Sequence, residues 1–93
     1  MSIALTLRMQ TKPDEGDAFA QFLADLGVST RANDDGCEIY EAFRSLDDPT
    51  RFALVESWTT QEALDAHNAA PHMATTRDTL GDLAEILVHR HVD

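Results

Sequence analysis

Residues 52–73 read FALVESWTTQEALDAHNAAPHM. Arg51 to Trp58 has the alternation of a strand: Phe52, Leu54, Glu56 and Trp58 share one side, and Ala53, Val55 and Ser57 the other. Thr59, with Glu62 three residues on, reads as a capping box for a helix over about Thr60 to Ala69. On that helix His67 lies three residues after Leu64 and four after Ala63, which puts it on their apolar face toward the sheet. Pro71 opens a further helix to about Leu83, with Met73, Thr76, Leu80 and Leu83 along its inner stripe. His72 falls in its first turn. The stretch holds the only Trp and two of the four His of the chain. Two imidazoles and a large aromatic are thereby aimed at one region, as in a pocket.

Working outward, Ile3 to Gln10 reads as a first strand, with Ile3, Leu5, Leu7 and Met9 alternating with Ala4, Thr6, Arg8 and Gln10. Pro13 suits the first turn of a helix, and Asp14, Glu15 and Asp17 suit its positive end. Phe19, Phe22, Leu23 and Leu26 form one apolar stripe. Gly27 either caps this helix or lies inside one that runs to about Ala32; the longer helix is preferred. Asn33-Asp34-Asp35-Gly36 is a turn, Cys37 to about Ser45 a second strand, and Asp47-Asp48-Pro49 the turn of a hairpin with the strand ending at Trp58. Glu85 to Val92 is a fourth strand. With right-handed crossovers this β-α-β-β-α-β order predicts a ferredoxin-like α+β domain over residues 1–93, a four-stranded antiparallel sheet with helices on one face. Three strands carry apolar residues on both sides: Ala4 beside Leu5, Ala53 and Val55 beside Phe52 and Leu54, Leu87 beside Val88. A second copy is the simplest cover for the other face, so a homodimer is expected.

Composition narrows the partners. Seventeen acids against seven bases give a net charge of −10, and the basic residues are scattered singly. Nucleic acid and anionic membranes need clustered Lys and Arg, so both are argued against. Cys37 is alone, which rules out an internal disulfide. No basic and apolar leader opens the chain, and no apolar run approaches the ~20 residues of a membrane span. A cytoplasmic protein is expected by elimination.

The reactive side chains each carry two readings. An imidazole on an apolar face is more often a satisfied core residue, but a buried neutral His67 could act as a general base. His72 sits where a helix N-terminus disfavours a cation, and is either reactive or a capping or surface side chain. Trp58 is more often core than ligand platform. If Glu56 is directed under the helices it needs a partner, with Arg8, Arg44 or a backbone group as candidates. Its first role is structural hydrogen bonding and its second acid–base. His89 and His91 lie at i, i+2 with no Cys or carboxylate at ligand spacing beside them, so no metal is expected. There is no phosphate loop and no nucleophile elbow, and Cys37 has no basic neighbour to activate it.

Taken in order, Gly36-Cys37-Glu38-Ile39-Tyr40, Asp48-Pro49, Phe52 through Glu56-Ser57-Trp58, Glu62-Ala63-Leu64 with His67, and His72 resemble the antibiotic biosynthesis monooxygenase domain over nearly the whole chain. The resemblance implies a dimeric α+β barrel of ferredoxin-like subunits. That family includes cofactor-free oxygenases of quinols and polycyclic aromatics, haem-degrading enzymes, and an isomerase of a small signalling sugar. The haem-degrading branch uses an Asn on the first strand, a Trp on the third and a His on the following helix. Trp58 and His67 match the last two, whereas the first strand offers Leu5, Thr6, Leu7 and Arg8 and no Asn. The resemblance therefore implies a cofactor-independent monooxygenase that oxidises a quinol or related aromatic with O2. In it His67 removes a proton and His72 orients a substrate oxygen or the nascent peroxide. Trp58, Tyr40, Phe43, Met73 and Glu56 bind the substrate. A haem-degrading or isomerase member, or a non-catalytic small-molecule-binding dimer, is the alternative on the same scaffold.

Overall fold

The computed structural model describes the backbone of residues 2–92 and the side chains of residues 2–85. The elements are β1 (Ile3–Thr11), α1 (Gly16–Asn33), β2 (Cys37–Arg44), β3 (Arg51–Trp58), α2 (Gln61–Ala69), α3 (Pro71–Leu83) and β4 (Ala84–Val92). The strands pair antiparallel in the order β2-β3-β1-β4. This is the ferredoxin-like α+β arrangement expected from the sequence. The expected side-chain positions of Leu87, Val88, His89 and His91 lie outside the described residues.

Alternation in the two central strands decides which face the helices cover. Leu5, Met9, Phe52, Leu54, Glu56 and Trp58 are all buried. The register sets Leu5 opposite Glu56, Leu7 opposite Leu54 and Met9 opposite Phe52. On the other side of β3, Tyr40 lies opposite Glu56. The stripe of α1 packs here through Phe19, Leu23 and Leu26, all buried. Phe19 meets Phe52 edge to face, with ring centroids 5.1 Å apart. Each such side chain contributes about 1.5–3 kcal/mol through burial.

Two boundaries differ from the sequence expectation. α1 begins at Gly16 and not at Pro13. Lys12 O accepts from Glu15 N at 3.1 Å, which closes a turn around Pro13 before the helix starts. α1 then runs through Gly27, as preferred. A side chain at Gly27 would fall 2.9 Å from Arg31 Nη1, and that guanidinium donates to Tyr40 O. The second difference is the cap of α2, which is Thr60. Its hydroxyl accepts from Ala63 N at 3.1 Å. Thr59 N is instead tied to Gly36 O at 2.8 Å, so Thr59 still belongs to the turn.

The other face of the sheet carries no helix. Ala4, Ala53 and Val55 are half-buried there, while Ile39 is 46% and Phe43 50% exposed. Among the described residues no helix is long and apolar enough to cross a membrane.

Candidate active site

The helix that Pro71 restarts stands off the sheet. Only Met73 of α3 is buried, with Thr76 and Leu80 half-buried behind it. The space left between α3 and the sheet is a cavity of about 550 Å³. Leu5, Leu7, Leu26, Leu54, Leu64 and Met73 form its aliphatic wall, and Tyr40, Glu56, His67, Asn68, Thr76 and Arg77 its polar positions. The size and the few polar groups are those of a small-molecule site.

Glu56 is the buried carboxyl of this wall, 5% exposed. Neither candidate cation reaches it. Arg8 is exposed on the opposite side of β1, and Arg44 is engaged by Pro49 O at 2.7 Å and Asp17 at 3.0 Å. The partner is the indole two residues on: Trp58 Nε1–H donates to Glu56 Oε1 at 3.1 Å. Burial pushes the carboxyl up to about 7, with the indole hydrogen bond opposing. Near neutral pH it is therefore both an acid and a base. Tyr40, across the strand, is held well above the usual tyrosine value by burial and then by the Glu56 charge, so its phenol stays protonated.

His67 is 3% exposed and lies against Trp58, with ring centroids 4.7 Å apart, and against Tyr40 at 5.5 Å. Its Nδ1 contacts Asp34 Oδ2. The other oxygen of Asp34 is 3.4 Å from His72 Nε2. His67 borders the cavity and also a shallow depression around Asp34. With Nδ1–H donated to the carboxylate, Nε2 keeps the lone pair for a ligand. Asp34 is set by the end of α1, where its N–H donates to Thr30 O at 3.0 Å. Gly36 follows with φ +82°, and a Cβ there would lie 2.6 Å from Ala63 Cβ. A turn this close to α2 brings Asp34 to His67, 33 residues away in sequence.

Of the residues singled out in the sequence, Tyr40, Glu56, His67 and Met73 meet at the cavity. Trp58 does not line it; it is completely buried and supports Glu56 and His67 from behind. His72 is outside, on the Asp34 side of His67, with its side chain 38% exposed. Phe43 is on the uncovered face, opposite Ala53, because it differs by one in strand parity from Tyr40 and Ala42. Asp34, Asn68 and Arg77 were not foreseen. Asn68 and Arg77 were legible only as polar helix residues; the Arg77 guanidinium donates to Asn68 O beside the cavity.

A ferredoxin-like domain with an aliphatic cavity and a buried carboxyl–indole–imidazole cluster has the features of a small-molecule-binding α+β protein. Residues 2–79 match the antibiotic biosynthesis monooxygenase family, and the chain belongs to it. None of the curated proteins matches the chain. Among solved structures it is similar to the Rv0793 protein of Mycobacterium tuberculosis, with 26% identity, a TM-score of 0.87, and coverage of 100% of this chain and 94% of that one. It is also similar to a Deinococcus radiodurans protein provisionally named an antibiotic biosynthesis monooxygenase, with 24% identity, a TM-score of 0.87, and coverage of 100% and 91%. A Bacteroides thetaiotaomicron protein of unknown function, titled a possible oxidoreductase, shares 22% identity at a TM-score of 0.89, with coverage of 98% and 95%. Membership supports a general monooxygenase-like function.

Proposed function

We propose that the chain is a cofactor-independent monooxygenase in which Glu56 takes a proton from a quinol or related phenol held in the cavity, and the anion reacts directly with O2. The observation that carries this reading is the buried Glu56 carboxyl, which faces an aliphatic cavity and is hydrogen-bonded to an indole. Among the described residues no cation pairs with it, and burial raises it to about 7, where a carboxylate can serve as a base at neutral pH. His67 Nε2 accepts a hydrogen bond from a second substrate hydroxyl, and the Asp34 contact holds the ring for it. The anion gives one electron to O2, the two radicals combine as a peroxide anion, Glu56 returns its proton to give the hydroperoxide, and loss of water leaves the oxygenated ring. For a quinol the balance is one O2 consumed and one hydroxyquinone and one water formed. The aliphatic wall keeps bulk water from the intermediate.

Oxygen uptake with a panel of hydroquinones tests this. Uptake well above autoxidation is expected, with Glu56→Gln lowering it by about 10²–10⁴-fold. No uptake above autoxidation for any quinol overturns the reading. The uncovered sheet face, with Ile39 and Phe43 exposed, supports a homodimer as the working form.

A further inference from the structure

We propose that Asp34, His67 and His72 form a binding site for one divalent transition-metal ion, on the side of His67 that borders the depression around Asp34. One carboxylate oxygen and two imidazole nitrogens lie there within 4.8 Å of one another. The set mixes two nitrogens with one oxygen, which suits Zn²⁺, Co²⁺ or Ni²⁺ better than Mg²⁺ or Ca²⁺. Bonds of about 2.0–2.2 Å to a tetrahedral ion place neighbouring donors about 3.4 Å apart. Asp34 Oδ1 and His72 Nε2 already stand at 3.4 Å. The Asp34–His67 contact needs only to open around the ion.

The three ligands come from three helix ends, so the backbone holds them in place. Asp34 caps α1 through its N–H on Thr30 O. The carbonyl of His67 accepts from Ala70 N at 3.2 Å at the end of α2, and His72 is the second residue of α3. Preset ligands of this kind lower the ordering cost of binding. Access is also present. The His72 side chain is 38% exposed, and the depression bordered by Asp34 and His67 carries Asp35 and Glu62 on its wall. With a net charge of −10, the chain draws cations toward that opening. Three ligands leave the fourth position of a tetrahedral ion to water. A hydrogen-bonded relay without metal is the competing account of the same three side chains, and it predicts no saturable binding. A bound ion would occupy His67 Nδ1 and turn Nε2 from the acceptor of the metal-free site into a hydrogen-bond donor toward the cavity, so metal binding would act against the proton transfer proposed above.

The test uses the untagged full chain, stripped with EDTA and dialysed. CoCl2 is titrated in while the visible d–d absorption is followed, and ZnCl2 is titrated by calorimetry. Saturation at one equivalent is expected. His72→Ala, at an exposed position that does not endanger folding, should weaken binding by more than about tenfold, the lower end of what even outer-shell changes cost. Asp34→Asn should do the same. A His89→Gln/His91→Gln double variant should bind like the parent. Absence of one-equivalent saturation, weakening of His72→Ala by less than about tenfold, or loss of binding in the His89/His91 variant overturns the site.

Discussion

Glu56 shows how one side chain can couple stability to chemistry. Its carboxyl is raised from 4.5 to about 7, first by burial and then against the pull of the Trp58 indole. The protonated form is the one the fold favours. The stabilisation is therefore fully present below about pH 4.5 and is lost as pH rises through about 7. At about 1.4 kcal/mol per unit, the loss is about 3 kcal/mol. Glu56→Gln keeps an oxygen for Trp58 Nε1–H and removes the titration. Urea unfolding at pH 5 and pH 8 should show a steep fall in parent stability that the variant largely lacks; an unchanged fall in the variant would assign it to other groups. The same residue gives the activity profile its sign, since a base works ionised: kcat/KM should rise through about pH 7. Much of this was readable in sequence. Parity set Glu56 on the side of Phe52, Leu54 and Trp58. Arg8, a candidate partner by sequence, nevertheless alternates with Leu7 and Met9 and stands on the other face. Arg44 shares the face of Glu56, but its register opposite Phe52 puts it four residues along the strand from Tyr40, the residue opposite Glu56. The indole as partner followed from i, i+2 spacing on one strand side, a link sequence alone does not force.

Among the elements, the turn between α1 and β2 does the most to assemble the site. Asn33-Asp34-Asp35-Gly36 was legible as a turn, but nothing local to it says that it packs on α2. That contact depends on Gly36, whose φ of +82° and missing Cβ let the backbone sit against Ala63 and Thr59. Gly36→Ala should cost about 1–3 kcal/mol from backbone conformation alone, with the clash at Ala63 added. It should also separate Asp34 from His67. Gly81 is the internal contrast. It lies in α3 with nothing within 4 Å of its would-be Cβ among the described residues, so Gly81→Ala should stabilise by up to about 1 kcal/mol through helix propensity. Thermal unfolding of both variants checks the pair, and two changes of the same sign would contradict this account. Helix periodicity also announced α3 and its inner stripe. The cavity did not follow from that pattern, because how far α3 stands from the sheet depends on packing between side chains distant in sequence.

For the whole molecule, the unresolved balance is between an apolar sheet face and an acidic chain. Ala4, Ala53, Val55, Ile39 and Phe43 lie on the face without helices. A stable interface buries about 800 Å² per partner, which one face of a four-stranded sheet can supply. A two-fold axis across this face would bring Phe43 and Ile39 of each copy against the other sheet. Each copy also brings a net charge of −10, so association works against long-range repulsion that salt screens. Two consequences distinguish the proposed dimer from one held by ion pairs. Light scattering at micromolar concentration should give twice the 10.3 kDa chain mass, and the dimer should tighten as salt rises from low to physiological strength. Phe43→Asp removes apolar area and adds a charge on each side of the axis, yet Phe43 is not part of the cavity wall. It should therefore yield a folded monomer with an unchanged far-UV spectrum. A parent that stays monomeric, or a dimer that salt dissociates, would mean that this face is covered by something other than a second copy.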